Sequence, residues 1–358
     1  MSDVEHESGA EDAATSSHTA SCHSTTHTCS RDALVACDRH EAYADQEASQ
    51  TPCGAACPSA EARAKAMAEA IAEQMPKRGE GPPTWKLHRR WDRAARLLGE
   101  AAMERLAHAS VTVMGLGGVG SFAAEGLIRS GVGRLVLVDF DDVCVTNVNR
   151  QLHAMKGAYS KPKCDLMAER MRRINPNATI VPIKAFYNTD TSEALLGDEP
   201  DFVIDAIDNF TAKIHLLARC LELEIPVVSS MGAAGKMDPT QVGIADLSDT
   251  YGDPMARQMR KLLRQKHGIG CNKKATGIPA VFSPEPRTQP QELSYDALTN
   301  GFLCVCPSRA NDFHSCDSRN LIDGSAGFVT SVFGMTAASV AVRRLTGHPV
   351  PGLDNTSL

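Results

Sequence analysis

One seven-residue run, GLGGVGS at positions 115–121, narrows the choice of fold more than any other part of this chain. It comes after a short apolar segment at 111–114 and precedes a helical pattern over 121–129. Glycines at Gly115, Gly117 and Gly120 let the backbone turn sharply out of a strand. They also let N–H groups approach phosphate oxygens at a helix N-terminus. Apolar runs at 134–139 (RLVLVD), 179–183, 201–206 (DFVIDA) and 226–229 predict further strands, with helices over 164–174 and 212–222 between them. Strands alternating with helices imply right-handed crossovers and an α/β, Rossmann-like, doubly wound and mostly parallel sheet. After Gly232 the rhythm changes. A strand at 241–246, a basic helix at 255–267, a Cys-bearing loop and a closing helix at 326–345 predict a C-terminal elaboration of the same sheet.

The two ends have a different character. Residues 1–60 are rich in Ser, Thr, His, Ala and acid without apolar periodicity, which predicts disorder. A helix is predicted at 61–75, followed by the breaker KRGEGPP, so the extension spans 1–82. The folded domain should run from 85 to 345, with 346–358 as a tail. The extension holds 14 Asp+Glu against 6 Lys+Arg, a net of −8 in a chain of net −6, so the remainder carries +2. The overall acidity therefore does not argue against a nucleic-acid partner. The acidic opening MSDVEHESGAED suits neither a secretory signal nor an ordinary transit peptide, so the 12 cysteines are read as thiols and the cytoplasm is the expected location. The apolar run at 328–342 is 15 residues, short for a membrane span, so membrane insertion is not expected.

The glycine loop alone does not distinguish NAD from ATP. Asp139, ending the next strand, can accept from ribose hydroxyls in either case. The residues after Asp139 favour a triphosphate. Asp139-Phe140-Asp141-Asp142-Val143 leads to Asn147, Arg150, Gln151 and Lys163, where a dehydrogenase needs neutral room for nicotinamide. Arg150 offers bidentate contact and Lys163 a point charge. Asp208 and Asn209 lie just past the fourth strand, at the edge where open α/β sheets bind ligands. Asp208 suits magnesium as a hard oxygen ligand, and it equally suits the N-cap of the next helix. The candidate nucleotide site is Gly115, Gly117, Gly118, Gly120, Asp139, Asp141, Asn147, Arg150, Gln151, Lys163, Asp208 and Asn209.

In combination, GLGGVGS, LVDFDDVCVTNVNRQ, KPK and IDAIDN resemble the ubiquitin-activating-type adenylating enzymes and their bacterial relatives for thiamin and molybdopterin synthesis. The resemblance covers roughly residues 85–345. It implies ATP and Mg2+, with Asp139 on the ribose, Asn147, Arg150, Gln151 and Lys163 along the triphosphate, and Asp208 on the metal. It also implies a homodimer in which Arg93, in the motif Trp91-Asp92-Arg93, reaches into the partner's ATP site. Arg93, Arg150, Lys163 and Asp208 are thus the candidate catalytic residues.

Three further segments are similar to one subgroup, the tRNA threonylcarbamoyladenosine dehydratases: 229–240 (SSMGAAGKMDPT), 250–264 (TYGDPMARQMRKLLR) and 278–286 (IPAVFSPEP). That resemblance implies adenylation of the threonyl carboxylate of a modified adenosine beside the anticodon, then ring closure by its carbamoyl group with loss of AMP. Charge agrees. Residues 251–274 carry seven cations (Arg257, Arg260, Lys261, Arg264, Lys266, Lys273, Lys274) against one acid, Asp253. Such a run is an electrostatic footprint for a phosphate backbone, or a solvated helix face. No aromatic is interleaved along it, so backbone contacts are expected here rather than base stacking. If the source is eukaryotic, the resemblance leaves a mitochondrial, outer-membrane-associated location open.

The rival is an activator that adenylates the C-terminal glycine of a ubiquitin-like or sulfur-carrier protein. Such activators typically carry two C-x-x-C pairs for structural zinc. Cys271, Cys304, Cys306 and Cys316 do not have that spacing, so no zinc is expected. Nor do residues 346–358 leave room for an appended sulfurtransferase or ubiquitin-fold domain. Ring closure within the substrate needs no enzyme thioester, so Cys304, Cys306 and Cys316 are read as structural or incidental. An adaptor without turnover fits poorly with the presence of Arg150, Lys163 and Asp208.

Overall fold

A computed structural model of the chain describes residues 60–75, 89–291, 293 and 323–353. The predicted disorder of residues 1–60, the start of the domain near Trp85, and Cys304, Cys306 and Cys316 therefore lie outside the described residues, apart from Ala60 itself.

In chain order the helices are α1 (Ala60–Gln74), α2 (Asp92–Leu98), α3 (Glu100–His108), α4 (Gly120–Arg129), α5 (Lys163–Ile174), α6 (Thr189–Leu196), α7 (Phe210–Glu222), α8 (Pro254–His267) and α9 (Gly327–Thr346). The strands are β1 (Ser110–Met114), β2 (Arg134–Val138), β3 (Thr179–Ile183), β4 (Phe202–Asp205), β5 (Val227–Ser230), β6 (Gly243–Asp246) and β7 (Pro279–Phe282). They form one sheet in the order β3-β2-β1-β4-β5-β7-β6, parallel throughout except that β6 runs antiparallel to β7. The order reverses between β1 and β4, and a ligand crevice in such a sheet opens at that point, beyond the carboxyl ends of the strands.

Burial on both faces explains why β1 to β5 read as continuous apolar runs. Alternate residues serve opposite layers. Val111 and Val113, with Leu135 and Leu137, pack against α3, α4, α5 and α9. Met114, Val136, Val138 and Val203 pack against α6, α7 and α8. The closing helix α9 buries Val329, Phe333, Ala337 and Ala341 against the first layer, as a core helix does. Among the described residues no helix is long and apolar enough to cross a membrane. Glu125 of α4 is clamped by Arg129 and by Arg170 of α5, both at 2.7 Å, which ties the helix after the glycine loop to its neighbour.

Three features depart from the sequence-based expectation. β7 lies between β5 and β6, whereas in the sequence its residues stand out only as part of a subgroup signature; four residues opening on a proline give too short a run to read as a strand. The eight-residue α6, between β3 and β4, is likewise unexpected. The helix predicted at 61–75 forms, and it belongs to the folded body: Ile71 is buried in the second layer, and Arg134 reaches Met75 Sδ at 3.7 Å.

Candidate nucleotide site and basic helix

β1 ends at Met114 and the chain turns at once. Gly115 adopts φ +88°, and a Cβ there would come within 2.8 Å of Ala206 O; a Cβ on Gly120 would collide with the carbonyl of Gly115. Side chains are excluded at both positions by the turn itself. Gly117 faces open space, where a ligand can approach the backbone, while Gly118 lies against Thr330 and Arg150. The loop is held from below by Asp139. Its Oδ2 accepts from Leu116 N at 2.6 Å and its Oδ1 from Asp141 N at 2.8 Å. Each oxygen of a carboxylate keeps a second acceptor position, so a ribose hydroxyl can still be accommodated. Burial pushes the Asp139 carboxyl up, against the pull of the Lys163 cation.

Lys163 opens α5 and is almost fully buried. Its Nζ lies 2.7 Å from Asp141 Oδ2. Burial disfavours its charge, but Asp139, Asp141 and Asp208 outweigh burial and hold its pKa above the usual lysine value. The 3-10 turn over Val145–Asn147 and the residues that follow it carry the other predicted contacts. Asn147 is buried and its Oδ1 accepts from Cys144 N at 3.0 Å, so it shapes this turn. Arg150 Nη1 is hinged to Thr146 O and Asn149 Oδ1 at 2.9 and 3.0 Å. Gln151 is buried and accepts through Oε1 from His153 Nε2 at 3.1 Å.

Past β4, the helix cap falls to Asn209 rather than to Asp208. Asn209 caps α7, its Oδ1 accepting from Ala212 N at 3.1 Å, and Asp208 stays exposed with its charge reaching Lys163. An exposed carboxylate at this edge that is not used as a helix cap fits a divalent cation. Arg93 is exposed in the first turn of α2, beside the buried Trp91.

α8, packed on the second layer, is amphipathic. Ala256, Met259 and Leu263 are buried, and Arg257, Lys261 and Arg264 lie exposed along the opposite face, with Lys266 and Lys274 beyond. The side chain of Lys273 falls outside the described part of the structure. Arg260 must be separated from the basic face: it turns inward, donating to Thr250 O at 2.9 Å, to Leu247 O at 3.3 Å and to Thr250 Oγ1. Its place beside Met259 and Leu263 is the available clue. Cys271 is half-buried, and among the described residues no cluster could hold a metal ion by His, Cys, Asp and Glu alone.

Residues 91–358 match the ThiF family. The chain belongs to the ThiF family. It is 38% identical over 257 residues to the tRNA threonylcarbamoyladenosine dehydratase of Escherichia coli, covering 72% of this chain and 93% of that protein. It is 50% identical over 188 residues to the dehydratase of the same name from Bacillus subtilis, covering 52% of this chain and 72% of the relative. The crystal structure of the E. coli protein in complex with ATP superposes with a TM-score of 0.62 at 36% identity, over 72% of this chain and 94% of that one.

Beneath the ThiF edge lie groups that sequence reasoning missed. Asp205, at the end of β4, and Lys213 of α7 are both fully buried and pair at 2.8 Å. Ser229 Oγ donates to the same carboxylate at 2.7 Å, and Lys213 Nζ also donates to Ile207 O at 3.0 Å. The set fixes the turn from β4 that carries Asp208. A second buried pair, Lys236 and Asp253 at 4.0 Å, joins the loop after β5 to the N-cap of α8. Burial pulls the Lys236 pKa down and pushes that of Asp253 up. Lys236 Nζ donates to Ser283 O and Glu285 O, both at 2.9 Å, so α8 is anchored to the loops at the carboxyl ends of β5 and β7.

Proposed function

We propose that this chain is an ATP-dependent dehydratase that cyclises N6-threonylcarbamoyladenosine in tRNA. One observation carries the reading. At the carboxyl edge of a ThiF sheet, a glycine turn, a buried Lys163 cation and an exposed Asp208 converge, in a chain spanning 93% of a relative named for this activity.

The backbone of residues 115–121 cradles phosphates at the start of α4, and Lys163 counters charge as it builds on the departing pyrophosphate. Arg150, hinged at Thr146 and Asn149, is placed to swing onto the triphosphate. Mg2+ fits the donor set that Asp208 offers and, when bound, would neutralise phosphate charge. A threonyl carboxylate oxygen attacks the α-phosphorus, the bond to the bridging oxygen breaks, and pyrophosphate leaves. The carbamoyl group of the same nucleoside then attacks the acyl carbon, gives up one proton and displaces AMP. The nucleoside has lost one water and gained a ring. Carboxylate oxygen is a poor leaving group and AMP a good one, which is why ATP is needed.

The exposed cations of α8 would hold the tRNA backbone, and two copies would complete each site through Arg93. The substrate places the protein in a compartment containing tRNA, cytoplasmic or mitochondrial. Purified protein incubated with ATP, Mg2+ and tRNA bearing the modified nucleoside should remove the mass of one water from it. ATP binding without that mass loss would sink the reading, and pyrophosphate exchange that depends on a carrier protein rather than on tRNA would replace it.

A further inference from the structure

Tyr251 is 65% exposed, the most exposed aromatic side chain among the described residues, and it stands immediately before α8. Its ring meets the buried Phe282 edge-to-face, with centroids 5.5 Å apart and planes at 74°. The backbone on both sides is pinned. Thr250 is buried and held by Arg260, and a Cβ at Gly252 would come 2.7 Å from Pro284 Cα. Asp253 then caps α8. The backbone under the ring is therefore set before any ligand arrives, and most of the side chain is open to solvent. An aromatic held in water in this way suits stacking, because every nucleobase has an apolar π-face.

Position identifies the occupant. Phe282 ends β7, which runs parallel to β5 and so finishes on the same sheet edge as the glycine loop and Asp208. From β4 to β7 is two strand spacings, about 10 Å of sheet. On the other side, Arg257, Lys261 and Arg264 continue along α8 as an exposed basic face. A polyanion lying on that face would bring an unpaired base over Tyr251 while its reacting group faced the ATP site. We propose that Tyr251 is a stacking platform for a nucleobase of the single-stranded anticodon loop next to the modified adenosine. This rests on the tRNA reading above and adds a stacking contact to the backbone contacts expected of α8: the helix itself lacks interleaved aromatics, but Tyr251 stands just before its N-cap.

The test uses the full chain and a modified anticodon stem-loop carrying 2-aminopurine beside the reactive adenosine. Stacking quenches that fluorophore on binding. Tyr251→Leu keeps apolar contact with Phe282 but removes the π-face; it should weaken binding roughly 5- to 100-fold and abolish the quench. Tyr251→Phe and Tyr251→Trp should behave like the parent, and ATP binding should be unchanged in all three. Parental affinity and quench in Tyr251→Leu would overturn the proposal, as would equal losses in Tyr251→Leu and Tyr251→Phe, which would assign the contact to the hydroxyl. Failure of the parent protein itself to bind the stem-loop would be a failure of the tRNA reading, distinguishable because no variant is needed to see it.

Discussion

Lys163 Nζ lies 2.7 Å from Asp141 Oδ2, yet the ammonium also answers to Asp139 and Asp208, which hold it charged despite burial. One cation thus serves three carboxylates around the place where the glycine turn would bring a triphosphate. Replacing it removes the charge that offsets Asp139 and Asp141. Lys163→Met should lower pyrophosphate exchange by at least about 100-fold, the scale of losing one preorganised charge-stabilising group. Lys163→Arg should not restore it, because a planar guanidinium fork does not reproduce the compact ammonium point charge at this buried position. Exchange within a few-fold of the parent in either variant would remove Lys163 from the chemistry.

Asp208 and Asn209 are adjacent but have separable roles. Asn209→Ala deletes the N-cap of α7 and should destabilise the protein by about 1 kcal/mol. Asp208→Ala, exposed and capping nothing, should change stability by no more than about 0.5 kcal/mol while abolishing Mg2+-dependent adenylation. Denaturant midpoints and exchange assays on the two proteins check the contrast. The reverse pattern, with Asp208→Ala unstable but active, would place the metal elsewhere.

How legible each feature is in the sequence depends on how it is encoded. β1 to β5 are short, contiguous, mostly apolar runs separated by helical or turn-rich stretches, so their existence and succession along the chain needed no tertiary information. β7 opens on Pro279 and has four residues, and only its pairing with β5 and β6 makes it a strand. In the site, Asp139, Lys163 and Asp208 were visible because each is a charge placed just after a strand or before a helix. Asp205 and Lys213 are also charges, but they meet only because α7 folds back on β4. Arg260 and Arg257 are the same residue type three positions apart, and the burial of Met259 and Leu263 alone distinguishes an inward guanidinium from an exposed one.

The Asp205–Lys213 pair predicts an asymmetry. Lys213→Met strands a fully buried carboxylate and should cost about 3–5 kcal/mol. Adding Asp205→Asn to it removes the stranded charge, keeps an acceptor for Ser229, and should recover a substantial part of that loss. Urea unfolding of the two proteins measures the difference; a double variant no more stable than the single one would mean that the pair acts by shape rather than by charge.

His153 makes the acid limb of stability testable. Its Nε2 donates to Gln151, its Nδ1 has no partner among the described residues, and burial, with Lys163 nearby, holds its pKa down to about 3. The unfolded ring titrates near 6.5. Between those values the unfolded chain binds the extra proton, so stability falls as pH drops through the window, by up to about 1.4 kcal/mol per pH unit from this group. His153→Gln can still donate to Gln151 but cannot titrate, so its profile from pH 6.5 to 4.5 should be shallower by one proton. Parallel profiles would show that the ring does not stay neutral in the folded state.

The basic face of α8 gives the sharpest division between contact and scaffold. Arg257, Lys261 and Arg264 are exposed on one side of the helix, and Arg260 is turned onto Leu247 and Thr250. Each cation that neutralises an RNA phosphate releases counter-ions, so its loss should weaken tRNA binding and reduce the slope of log affinity against log salt by about 0.7 to 0.9. Arg257→Ala, Lys261→Ala and Arg264→Ala should each do this with thermal stability nearly unchanged. Arg260→Ala should leave the salt slope as it is and lower the melting temperature, because three buried or half-buried acceptors lose their donor. Salt titrations of tRNA binding across the four variants decide the matter. A slope change for Arg260 equal to that of its neighbours would mean that its guanidinium leaves Thr250 when RNA arrives.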